Sequence, residues 1–156
     1  MVELSKEFMR KIIKIIVTIL IIGAVGYRYF YYVDFKNKCY IKIKPSILEF
    51  SSQNIKQAIK VLKLAVPEEY QKLCGHVNVI NPNFACGGFG GGCYYGENLE
   101  KKEIDISTAN SGYLGWTAAV IAHEACHAIQ GQEKRAMSES ECDKIGNEIL
   151  KKVISY

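Results

Sequence analysis

The spacing of apolar residues changes along this chain, and each change marks an element. Ile12 to Val33 is a nearly continuous apolar run of 22 residues, interrupted by Lys14 and Arg28 near its ends. That is about long enough to cross a bilayer, so it predicts a single transmembrane helix, with Lys14 and Arg28 snorkelling and Tyr27, Tyr29, Tyr31 and Tyr32 at the interface. The rival is a cleaved signal peptide with Ile15 to Val25 as its apolar region and Ala24-Val-Gly26 as its cleavage site. Beyond it, Tyr40 to Ser46 alternates lysine with isoleucine as a strand does. Ile55, Ile59, Leu62 and Val66 recur at helical spacing until Pro67 interrupts them, and His76 to Ile80 alternates as a strand. Five glycines in the eight residues from Cys86 to Cys93 predict a hairpin link. Tyr94 and Tyr95 open a second strand, and Glu103 to Thr108 forms a third with Ile104 and Ile106 on one face.

Two helices close the chain. Leu114 to Gln132 is apolar on two faces, one carrying Trp116, Val120, His123 and His127 and the other Ala118, Ala122, Ala125 and Ile129, so it is expected between two layers. Cys142, Ile145, Ile149 and Val153 repeat at helical spacing on the second, which returns past the first. The expected fold class is therefore α+β, with an N-terminal transmembrane helix, a small mostly antiparallel sheet and two C-terminal helices. Its divisions are 1–33 for the tail and membrane helix, 34–52 for a juxtamembrane segment, and 53–156 for the folded domain.

The chemistry concentrates in HEACH, His123 to His127. On a helix, positions i and i+4 stand one above the other, so His123 and His127 can hold one metal ion while Glu124 points beside them toward a bound water. Catalytic zinc takes three protein ligands and leaves the fourth position to water. Glu139 supplies the third, and Asp143, at i+4 from it, can hydrogen-bond a ligand histidine from behind. Glu141 competes with Glu139, but Ser138 and Glu141 form the SxxE pattern of a capping box, which occupies Glu141 at the helix start.

HExxH followed by ExxCD resembles the gluzincin group of zinc metallopeptidases, over roughly residues 53–154. The resemblance implies a zinc cofactor held by His123, His127 and Glu139, Glu124 as general base, and Asp143 as the residue that orients a histidine. It implies hydrolysis of peptide bonds in a peptide or protein substrate, of endopeptidase type, and a helix before the sheet that backs the active-site helix. In zincins a strand just before that helix binds extended peptide along its edge, and Ile104, Asp105, Ile106 and Ser107 resemble it. Gluzincins often add a Tyr or His to steady the oxyanion, for which Tyr94, Tyr95, Tyr113 and His76 are candidates. The alternative is a non-catalytic, membrane-anchored zinc-binding regulatory or interaction module. Glu124 argues against it, because a structural site needs no base next to its first histidine.

Composition alters this picture in two places. A net charge of +4, with lysines spread along a strand, gives no basic patch, so no nucleic-acid partner is expected. Six cysteines, all outside the apolar run, suit disulfides in an oxidising compartment, which places the folded domain on the extracytoplasmic side of the expected membrane anchor. Cys86 and Cys93 can be joined if the chain doubles back. Cys126 and Cys142 each lie three residues beyond a ligand; they are either a disulfide fixing the two helices or two small buried residues at a tight crossing.

Overall fold

The computed structural model describes residues 2–45, 52–83, 86, 92–94, 102–107 and 113–154. The chain divides into two units, 1–30 and 31–156. The first is helix α1, Val2–Phe30. Among the described residues no helix is long and apolar enough to cross a membrane, which corrects the expected single-pass anchor and the extracytoplasmic placement tied to it. Both ends of the apolar run explain the difference. Tyr31, Tyr32 and Val33 leave the helix and form a strand. Lys14 and Arg28 then confine the uncharged helical stretch to residues 15–27, and those residues, at about 1.5 Å each, span about 20 Å against the roughly 30 Å of a hydrocarbon core.

The second unit is α+β. Strands β1 (Tyr31–Asp34) and β2 (Cys39–Ile43) form an antiparallel hairpin, so part of the expected juxtamembrane segment belongs to the sheet. Helices α2 (Ser52–Ala65) and α3 (Pro67–His76) follow, then β3 (Val79–Pro82), β4 (Gly92–Cys93), β5 (Glu103–Ile106), α4 (Leu114–Gln132) and α5 (Glu139–Ile154). The sheet order is β1-β2-β3-β5-β4. It is mixed and not mostly antiparallel as expected: β2 with β3 and β3 with β5 are parallel, while the two outer pairs are antiparallel. The α2–α3 crossover accounts for the first parallel pair, since parallel neighbours need a long connection.

Pro67 does more than end α2. It stands in the first turn of α3, where its missing N–H costs nothing, and Glu68 and Glu69 favour the same helix start. His76 is thus the last residue of a helix, not the first of a strand as expected. The core is one buried cluster to which α2 gives Ile55, Ile59 and Leu62, β2 its alternating inner face and α4 its alanines, with α2 packed against α4. Each fully buried isoleucine or leucine there contributes about 1.5–3 kcal/mol.

The hairpin is pinned to the helices by a polar knot. Asp34 Oδ2 accepts from Lys63 Nζ at 2.6 Å, Tyr70 Oη at 2.7 Å and Asn37 Nδ2 at 2.8 Å. Because Tyr70 spends its proton on Asp34, the buried Tyr32 hydroxyl donates to Tyr70 across 3.2 Å. The Cys39–Cys74 disulfide, Cα atoms 4.9 Å apart, joins β2 to α3 nearby. Lys63, then Asn37 and Tyr70, hold the Asp34 carboxyl well below its ordinary value of 3.8. A depressed carboxylate stabilises the fold above its unfolded-state value and loses that contribution as pH falls through the folded one. Asp34→Ala is expected to cost about 1–3 kcal/mol at pH 7, read by denaturant unfolding. The gap to wild type narrows once pH falls below about 4; a gap that stays constant to pH 2 excludes the charge as its source.

Candidate metal centre

Helix α4 is buried around most of its circumference, because α5, α2, α3, β4 and β5 all pack against it. Its alanines at 118, 119, 122, 125 and 128 let those elements approach closely. Helix α5 returns antiparallel along it. At one end Val153 Cγ1 lies 2.8 Å from where a methyl on Gly115 would stand, and at the other Glu139 meets the two histidines.

There three Lewis-basic atoms converge. His127 Nε2 is 3.1 Å from His123 Nε2 and 3.2 Å from Glu139 Oε2, and the third edge, His123 Nε2 to Glu139 Oε2, is 3.4 Å. Three tetrahedral ligands, each about 2.0–2.1 Å from one ion, lie about 3.3–3.4 Å apart, so this triangle has the dimensions of a metal-binding face. His123, His127 and Glu139 therefore form a group that can hold a metal ion.

The far side of each imidazole supports that reading. His127 Nδ1 donates to Gln130 Oε1 at 3.2 Å, and His123 Nδ1 faces Asp143 Oδ1 at 3.4 Å. Both arrangements put the proton on Nδ1 and leave the Nε2 lone pair toward the centre. In that tautomer two lone pairs and a carboxylate oxygen face one another, an arrangement that a cation between them stabilises. Burial, then neighbouring His127, pushes the His123 imidazole below its usual value, which keeps it neutral and able to bind metal.

Gln130 is the residue that sequence reasoning missed. It is fully buried, and its amide makes four hydrogen bonds. Oε1 accepts from His127 Nδ1 and Ser138 N, while Nε2 donates to Glu141 Oε2 at 2.9 Å and Ser138 O at 3.4 Å. One side chain thus orients a ligand and anchors the start of α5. The capping box is only half formed: Ser138 Oγ accepts from Glu141 N at 3.4 Å, but the Glu141 carboxylate turns to Gln130 and Arg135. Either way Glu141 is occupied and Glu139 is left to the histidines. The available signal was a glutamine three residues after His127, on the same face of a helix otherwise lined with alanine. Gln130→Leu should weaken metal binding about 10–100-fold in a competition titration against a chelator, since an apolar side chain leaves the His127 Nδ1–H without its acceptor. Unchanged affinity would show that the ring is oriented by other contacts.

Glu124 lies beside the triangle, its Oε1 3.9 Å from His123 Nε2, and is 2% exposed. Among the described residues its Oε2 has no hydrogen-bond partner. Burial first, and then the carboxylates of Glu139 and Asp105, push its pKa up to about 8. Strand β4 closes over it: a methyl on Gly92 would stand 2.6 Å from Glu124 Cδ and Cγ, so only glycine leaves room for this carboxyl. A disulfide from Cys86 to Cys93, Cα atoms 5.5 Å apart, fixes the strand, as the doubling back of the chain allows.

The expected substrate strand is placed differently. In β5, Asp105 and Ile106 pair with Asn81 and Pro82 on one side and with Cys93 and Gly92 on the other, so an added peptide has no free edge there. Ile104 and Ile106 are core residues, and buried Asp105 accepts from Asn83 Nδ2 at 2.7 Å. Ser107 follows directly after the strand. Among the described residues the outer strand on this side is β4. Of the oxyanion candidates, His76 Nδ1 pairs with Gln132 Oε1 at 3.0 Å, and Tyr113 is 78% exposed. Tyr95 lies outside the described residues. Tyr94 stacks on His127, ring centroids 6.5 Å apart, and its buried hydroxyl has no partner among the described residues.

Protein-family models, curated proteins and solved structures were all compared with this chain, and none matches it.

Proposed function

We propose that the chain is a zinc-dependent peptidase of the gluzincin kind, hydrolysing peptide bonds in peptide or protein substrates. One observation carries the reading: a triangle of two imidazole nitrogens and a carboxylate oxygen, with edges of 3.1–3.4 Å, has a buried carboxyl beside it whose Oε2 has no partner among the described residues. Two histidines and a glutamate suit zinc, and the set leaves a coordination position open. The sulfurs nearest in sequence to the ligands, Cys126 and Cys142, are bonded to each other, and Cys142 lies against Nδ1 of His127, not Nε2.

His123, His127 and Glu139 would hold the zinc, which would supply Lewis acidity at the position they leave open. Glu124 accepts the proton of the attacking water and delivers it to the leaving amine. The Tyr94 hydroxyl, buried and without a partner among the described residues, donates to the oxyanion that forms on the substrate. An extended peptide adds to the outer edge of β4, next to Glu124, in place of the expected β5.

The test is incubation of the chain with a diverse peptide mixture and one equivalent of zinc, with and without a chelator. Expected are new peptide termini that vanish with the chelator and return with excess zinc. Stoichiometric zinc without cleavage would leave a metal-binding module and remove the enzyme.

A further inference from the structure

We propose that the Cys126–Cys142 disulfide is a redox-sensitive brace of the metal centre: it positions the ligands on α4 and α5, so the oxidised chain binds metal more tightly than the reduced one. The inference rests on the metal-centre reading above. Its geometry is independent of which metal is bound.

The ligands come from two helices, His123 and His127 from α4 and Glu139 from the first residue of α5. The Glu139 side chain is 76% exposed, so packing does little to fix it, and helix ends fray. Its position depends on how firmly the first turn of α5 is held. Cys142 is three residues along that turn and Cys126 is one residue before His127, and the bond between them brings their Cα atoms to 5.5 Å. Both are buried, Cys142 completely. Cys142 Sγ also lies 3.5 Å from His127 Nδ1, against the ring that presents Nε2 to the centre. The brace therefore touches one ligand and fixes the helix bearing another.

Reduction adds two electrons and two protons, breaking one S–S bond and forming two S–H bonds. The sulfurs then separate from a bond of about 2 Å to a non-bonded contact of about 3.5–4 Å. In a closely packed helix pair that change of about 1.5 Å must be taken up by moving α5 or turning side chains. A metal site tolerates deviations of only about 0.2 Å in its distances, so the triangle does not keep its dimensions. Cys142 also becomes a thiol that can donate, next to a nitrogen whose proton now points at Gln130. The other two disulfides differ. Cys39–Cys74 joins β2 to α3, and Cys86–Cys93 fixes β4, neither within a turn of a ligand.

The experiment compares zinc affinity, by competition with a chromophoric chelator, for oxidised wild type, Cys126→Ala/Cys142→Ala and Cys39→Ala/Cys74→Ala, each with its helical circular dichroism recorded. The expected result is at least a tenfold loss in the first variant and less than a threefold change in the second. Wild type reduced by a phosphine, which takes oxygen from water as it becomes the phosphine oxide, provides a second route if the first variant does not fold. It should show the same tenfold loss with its helical signal retained. Equal affinity in oxidised and braceless chains overturns this inference alone, and equal losses in both double variants overturn it in favour of general destabilisation. No zinc on oxidised wild type overturns the metal-centre reading itself.

Discussion

Glu124→Gln is expected to bind zinc as wild type does and to lose about 10²–10⁴-fold in peptide hydrolysis, the range for removal of a general base. The substitution isolates one role. Glu124 is not among the converging atoms, so metal affinity has no reason to fall, and Gln has nearly the same shape beneath Gly92. Metal analysis and peptide turnover on one preparation check both halves. Activity near wild type would mean another group takes the proton, and lost zinc would mean that Glu124 is a ligand.

Stability should move the other way. In the metal-free chain Glu124 holds its proton up to about pH 8, whereas in the unfolded chain it ionises near its ordinary 4.5. A carboxyl with a raised folded value costs stability as pH climbs from the unfolded value toward the folded one. Metal-free Glu124→Gln should therefore melt higher than metal-free wild type at pH 8, and the difference should close toward pH 4. Catalytic machinery kept at the expense of stability has this signature.

How far the site could be read from sequence followed from how local its rules are. His123 and His127 needed only the i,i+4 relation within one helix, and the choice of Glu139 over Glu141 needed only the helix start. Both placements agree with the geometry, although Glu141 is held by Gln130 and Arg135 where a capping box was expected. Gln130 was missed because its four partners lie on both sides of the α4–α5 turn, and nothing in its spacing announces a buried amide. The position of β5 was beyond reach for the same reason. Pairing order is set by contacts distant in sequence, so Ile104 to Ser107 reads equally well as an inner strand or an edge. The N-terminal error was of another kind. The tyrosines after Val25 extend the apolar composition of the helix without a break, yet Tyr31 to Asp34 form a strand whose Tyr32 and Asp34 serve the polar knot with Tyr70 and Lys63. Pro67 misled more mildly, since a proline that ends one helix can also open the next.

Removing a ligand should have the largest effect on the metal centre. His127→Ala is expected to abolish stoichiometric zinc binding and hydrolysis together, and Glu139→Ala to weaken binding while leaving a residual two-histidine site. The asymmetry follows from the structure. His127 is 5% exposed and carries the contacts to Gln130 and Cys142. Glu139 reaches the centre from solvent, and its removal leaves no buried polar group unpaired beyond the histidines themselves. His127→Ala should thus also cost about 2–5 kcal/mol of metal-free stability, through the cavity left by a buried ring, whereas Glu139→Ala should change it by less than about 0.5 kcal/mol. Zinc titration and denaturant unfolding of the two variants, run side by side, check this ordering. A Glu139→Ala chain that binds zinc as tightly as wild type would remove Glu139 from the ligand set and leave the third position to be found elsewhere.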